Sequence, residues 1–182
     1  MTGELEVSYD PHTLREVYAD PAAVHAKIEE LREEVRTAPD VIDELRARGD
    51  LVELLRGVGE LDEALAEGQR AVDRADIAGT APQQHLARVR LAHVHQWRGE
   101  FVESNIAFTE QLNAADQFGP IIEAYTHEHA GKNSFDQQHY ADAHRHFTRA
   151  LAIRREFELP DEEIAPLQLA VDVANNRLEE QT

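Results

Sequence analysis

Ten histidines in 182 residues are the first side chains to weigh as chemistry. Six of them stand two apart, as His93/His95, His127/His129 and His144/His146. Imidazole is a common ligand of zinc, so each pair raises the question of a metal centre. On a helix, side chains two residues apart diverge by about 200°. One such pair therefore cannot close on a single ion from one helix. His139 and His146 share a face, yet no carboxylate stands at a ligand spacing to them, and no His-Glu-x-x-His occurs. The expectation is surface and groove histidines, with no metal and no cofactor; a histidine-based metal-binding protein is an alternative. Protonating all ten carries the formal charge from −18 to −8, so association is expected to respond to pH.

Other catalytic residue types are present without a catalytic pattern. The 36 Asp and Glu residues are so many that any one pair is uninformative, and runs such as Glu29-Glu30 and Glu33-Glu34 read as solvated helix faces. Ser8, Ser104 and Ser134 lie outside Gly-x-Ser-x-Gly. Gly57-Val58-Gly59 follows no strand and precedes no Gly-Lys-Ser/Thr, so it is no phosphate loop. There is no cysteine, hence no thiol nucleophile and no disulfide. The chain reads as non-catalytic.

Net charge narrows the partners. At −18 the chain lacks the clustered cations that neutralise phosphates, which excludes nucleic acid and anionic membrane as expected partners. Its basic residues are 16 Arg and two Lys, a composition we read as that of a GC-rich bacterial genome. Residues 1–6 are acidic without an apolar segment, and no apolar run approaches 18 residues, so no signal peptide or membrane span is expected and the location is read as cytoplasmic.

The elements that must position any site come next. Residues 1–9 read as a frayed tail. Asp10-Pro11 and Asp20-Pro21 each place an N-cap before a proline, and the second opens a helix over 21–37 with Val24, Ile28, Leu31 and Val35 as its stripe. Asp40 caps the next helix, and Gly49-Asp50 is expected to kink or break it. A pattern then recurs: Gly59-Glu60-Leu61-Asp62-Glu63-Ala64, Gly99-Glu100-Phe101-Val102-Glu103-Ser104 and Gln138-His139-Tyr140-Ala141-Asp142-Ala143, at steps of 40 and 39. Small residues at 64/104/143 and 71/111/150 would let helices approach, and Phe108 and Phe147 would fill between them. A period of this size means stacked helical hairpins. Ile164, Leu167, Val171, Ala174 and Leu178 give a last helix one apolar face.

Leu91-Ala92 before Gly99-Glu100-Phe101, and Tyr140-Ala141-Asp142-Ala143 before Phe147-x-x-Ala150-Leu151-x-Ile153, resemble the tetratricopeptide repeat in the longer-period form of kinesin light chain repeats. The resemblance covers about residues 45–178. It departs from the family in its period, in Ser104 and Gln111 where alanines are usual, and in Gly68 where a bulky residue is usual. It implies an all-α fold: an α-solenoid of about three hairpins with an N-terminal helical extension and a C-terminal capping helix. The expected division is a tail and capping helices over 1–40 and a repeat domain over 41–182, with repeats at 41–79, 80–119 and 120–160 and a cap at 161–182.

In such stacks the first helix of each hairpin lines a concave groove. That register puts Leu86, Val89, Arg90, His93 and Trp97 from one repeat, and Tyr125, Glu128, His129, Lys132 and Phe135 from the next, on the groove. Aromatic and arginine anchors suit a binding hot spot; Trp97 and Phe135 equally suit padding of the hairpin turns. The Lys/Asn/Arg clamp by which some family members hold a peptide carboxylate is absent, since Gly49, Glu53, Arg90, Tyr125 and His129 occupy its positions. The expectation is an adaptor for a peptide or partner helix, with basic residues favoured by the acidic chain. A self-associating homodimer is the alternative, with the helix over 21–37 covering one end of the stack or pairing with a second copy.

Overall fold

A computed structural model describes residues 5–181. It contains a two-stranded antiparallel hairpin, β1 (Val7–Tyr9) and β2 (Glu16–Tyr18), followed by α1 (Pro21–Thr37), α2 (Val41–Gly57), α3 (Leu61–Ala78), α4 (Ala81–Trp97), α5 (Phe101–Leu112), α6 (Pro120–Asp136), α7 (Tyr140–Glu156) and α8 (Asp161–Glu180), with a 3-10 turn at Ala115–Phe118. Within its unit each helix packs on its neighbour in sequence, the connectivity of an all-α solenoid.

Local chemistry explains where the helices begin. The Asp20 carboxylate accepts from the Ala22 and Ala23 amides at 2.9 and 3.1 Å, and Asp40 accepts from Ile42 and Asp43 at 2.9 and 3.0 Å. Both satisfy amides that a helix N-terminus otherwise leaves open. Between α2 and α3, and between α4 and α5, the chain turns through Gly59 and Gly99 at φ of +84° and +75°. The equivalent turn before α7 uses Gln138 at φ of +61°, where a side chain is strained.

The chain divides into two compact units. The first holds residues up to Asp10 and Arg15–Gly99. Its core joins Val24, Ile28 and Leu31 of α1 to Ala47, Leu51, Val52 and Leu55 of α2, Ala64 of α3 and Val94 of α4. The second holds Pro11–Leu14 with the residues from Glu100 onward. Phe135, Phe147, Leu151, Ile153, Leu167 and Ala174 form its core, which includes Leu14.

Two local expectations are corrected. Asp10-Pro11 opens no helix: residues 7–18 are a hairpin, with Val7 opposite Tyr18 and Tyr9 opposite Glu16. The part of the expected tail at residues 1–4 lies outside the described residues. Three-residue strands are too short to show an alternating pattern, and Leu5 and Tyr18 earn their place by packing on the α1–α2 core. Nor does Gly49 break α2, which runs unbroken. A Cβ there would meet the Arg90 guanidinium at 2.7–2.8 Å, so the glycine lets Arg90 lie against the helix.

A Cβ at Gly99 meets nothing within 4 Å, so any penalty there is conformational. Gly99→Ala is expected to lower unfolding stability by about 1 kcal/mol, and Gln138→Gly to raise it by a smaller amount. Denaturant titration of both variants checks this.

Candidate interaction site

In the first unit, α2 and α4 frame an open apolar cleft of about 180 Å³. Ile42, Leu45, Leu86 and Ala87 supply its walls, with Gly49 at the point where Arg90 crosses. Ile42 is 59% exposed. Arg90 donates from Nε to Glu53 at 2.8 Å, and Arg46 pairs with Asp43 at 3.4 Å, so both rim cations have counter-ions. The cleft therefore offers apolar contact first.

The other expected groove residues of this unit serve the fold. His93 is 2% exposed and meets the Trp97 ring edge-on, with centroids 6.4 Å apart. Two guanidiniums, of Arg15 and Arg56, lie over the Trp97 ring at 4.5 and 4.7 Å. Arg56 is itself held by Glu16 at 3.0 and 3.3 Å. Trp97 is thus a stacking platform that ties β2 and α2 to the end of α4.

The second unit treats its expected residues in the same way. Tyr125 packs edge-on against His129 at 4.1 Å, and His129 is buried. Phe135 belongs to the core and touches the Tyr140 ring, centroids 5.2 Å apart. Lys132 is buried and pairs with Glu128 at 3.0 Å, while Arg154 of α7 reaches the other Glu128 oxygen at 2.5 Å. Burial raises the pKa of the Glu128 carboxyl, but Lys132, His129 and Arg154 outweigh it and hold the group at about 2.

The histidine pairs read from the sequence do not form the observed contact. Instead His127 of α6 meets His146 of α7, Nδ1 to Nδ1 at 2.9 Å. One Nδ1 must donate and the other accept, so the two rings cannot both be imidazolium in this geometry. Burial lowers the pKa of both, with Glu123 opposing the effect at His127; the His127 and Arg145 charges bring His146 down further, to about 4. Among the described residues no three His, Asp or Glu side chains are placed to hold a metal ion.

The sequence reading included Leu86 on the groove but passed over Ile42 and Arg46. An apolar residue in the first turn of α2, off the buried stripe, was the available signal for Ile42.

The fold defines the class: an all-α helical-repeat protein. Its likeness to the crystal structure of BtubC (BKLC) from P. vanneervenii has a TM-score of 0.62 at 16% identity, covering 87% of this chain and 66% of that one. That supports a tetratricopeptide-like helical repeat fold, and this chain spans just under two thirds of the length of the solved protein. No protein-family model matches the chain. No curated protein matches it either. No helix among the described residues is long and apolar enough to cross a membrane.

Two acid-sensitive windows follow from the buried groups. His146 binds its proton less readily folded than unfolded, so its contribution is intact above pH 6.5 and is lost as pH falls toward about 4. Glu128 has a depressed pKa, so its contribution is intact above 4.5 and is lost as pH falls toward about 2. Stability measured against pH should fall less steeply through the first window in His146→Gln and through the second in Glu128→Gln.

Proposed function

We propose that the chain is a non-catalytic interaction scaffold that holds a peptide or partner helix against the first helices of its hairpins. The observation that carries this reading is the open cleft between α2 and α4, with Ile42 exposed above Leu45, Leu86 and Ala87. An apolar side chain of the ligand would fill it, the usual anchor of helix-in-groove recognition. Arg90 stays at its rim as a polar contact. Tyr125, half-buried, is the one expected residue of the second unit with appreciable exposure for such contact. The −18 charge favours a ligand with basic flanks, faster association at low salt, and neither nucleic acid nor membrane as partner. A cytoplasmic location belongs to the same reading.

Self-association is the second reading, and the exposed pair Val102 and Ile106 favours it. They stand one turn apart on α5 at 69% and 59% exposure. The apolar stripe of α1 no longer serves it, because Val24, Ile28 and Leu31 are buried against α2.

Ile42→Asp/Leu86→Asp tests the scaffold reading. Captured from native lysate, a partner held by the wild type should bind the variant at least tenfold more weakly, about 1.4 kcal/mol. Equal retention by a variant of unchanged circular dichroism would place the site elsewhere. Capture of the chain alone, with a dimer mass by light scattering, would favour self-association.

A further inference from the structure

A second cleft in the first unit, of about 330 Å³, opens where the N-terminal hairpin meets α1 and α2. Its walls are apolar and aromatic: Leu5, Val7 and Tyr9 from the β1 side, Tyr18 from β2, Leu31 from α1 and Leu54 from α2. Tyr18 is fixed there. Burial, with the Glu16 charge next, pushes its phenol up to about 12, and its ring lies where a Cβ on Gly57 would have to go.

The charges in this cleft do not balance. Lys27 lines it but is engaged by Glu30 at 3.2 Å and Glu34 at 3.5 Å. Arg56 lines it but is held by Glu16. Glu53 lines it and carries the Arg90 pair. Asp50 also lines the cleft, and among the described residues it makes no hydrogen bond or salt bridge. Its surroundings disfavour its charge: burial raises its pKa first, Glu53 and Glu34 raise it further, and Arg90 and Arg46 oppose them without bonding to it. A partly buried carboxylate that no cation contacts directly is a cost that an incoming cation reduces.

We propose that this cleft receives one basic side chain, a lysine or arginine, from a polypeptide ligand, with Asp50 as its counter-ion and Tyr9 and Tyr18 beside its alkyl stem and charge. The walls suit such a guest, whose long apolar stem ends in a charged head, and tyrosine rings stabilise a cation at close range. Metal ions fit poorly, because a hard cation demands several converging oxygen ligands and among the described residues no three His, Asp or Glu side chains are placed to hold one. The cleft adjoins the α2–α4 cleft through the Glu53–Arg90 pair, whose two residues each line one of them. The inference nevertheless stands on the hairpin cleft alone and does not require the apolar cleft to bind.

The test is a two-dimensional amide NMR titration of the full chain with acetyl-Gly-Leu-Lys-Leu-Gly-amide, its arginine counterpart and its norleucine counterpart. The basic peptides should give saturable shifts at Val7, Tyr18, Asp50 and Glu53, with affinity at least tenfold above that of the norleucine peptide. Asp50→Asn, nearly isosteric, should remove that tenfold preference. Val7→Lys, at a position 42% exposed, should block the cleft with a tethered cation while leaving every carboxylate in place. Shifts scattered over the acidic surface without saturation would overturn the proposal, as would equal binding by Asp50→Asn. A dimer seen by light scattering and dissolved by Asp50→Asn would overturn it in favour of a second copy as occupant.

Discussion

Close approach of neighbouring helices at small side chains is the constraint on which this protein rests. Ala64, Ser104 and Ala143 open the second helices of the three hairpins, and each is 0% exposed. A larger residue at these points would push the backbones apart and open voids in the core. One turn further along, Phe108 and Phe147 fill the resulting space at 2% and 0% exposure, and Gly68 in the first hairpin takes Leu91 of α4 in that role. Ser104 shows how a polar residue meets the same demand. Its hydroxyl donates to the Asn133 Oδ1 at 2.7 Å, so burial leaves it satisfied.

The charged residues are organised around this apolar skeleton. Several first-helix side chains that would face a ligand in an open groove are engaged inside the protein. Lys132 and Arg154 neutralise Glu128, Arg56 neutralises Glu16, and Arg56 and Arg15 cover Trp97. Breaking a buried pair leaves an uncompensated charge, so these groups are poor candidates for a ligand that would have to pull them away. Two clefts of the first unit remain open to a ligand: an apolar one whose rim cations already have partners, and a hairpin-walled one whose Asp50 carboxylate no cation contacts. Both rely on α2, one on its N-terminal half and the other on its C-terminal half.

The N-terminal hairpin changes the meaning of the region before the repeats. Leu5 and Tyr18 pack on the α1–α2 core, so β1 and β2 form part of the first unit's structure. Tyr18 over Gly57 and Glu16 on Arg56 fasten the second strand to the end of α2. A helical repeat alone would leave that end of α2 to solvent; here it becomes the floor of a cleft.

Much of the architecture was legible in the residues. The aspartates at 20 and 40 mark helix starts because an N-cap needs only an acceptor next to its own first turn. Gly59, Gly99 and Gln138 were legible as the first residues of the recurring pattern, and the backbone takes a positive φ at all three. The spacing of small and large residues marks the hairpins because helical geometry converts spacing into a face. Of the residues the sequence placed on the groove, Leu86 and Arg90 line the α2–α4 cleft. Whether His93, Trp97, Lys132 and Phe135 face a ligand or the interior depends on what packs against them, and that comes from elsewhere in the chain. Arg15 reaches Trp97, Arg154 reaches Glu128, and His146 rather than its sequence neighbour His129 meets His127. Periodicity by itself determined the helices and their order, because hydrogen bonding and side-chain direction in a helix are local. Only the tertiary structure decided the clefts and the polar pairs, because each requires residues tens of positions apart to arrive within a few ångströms of one another.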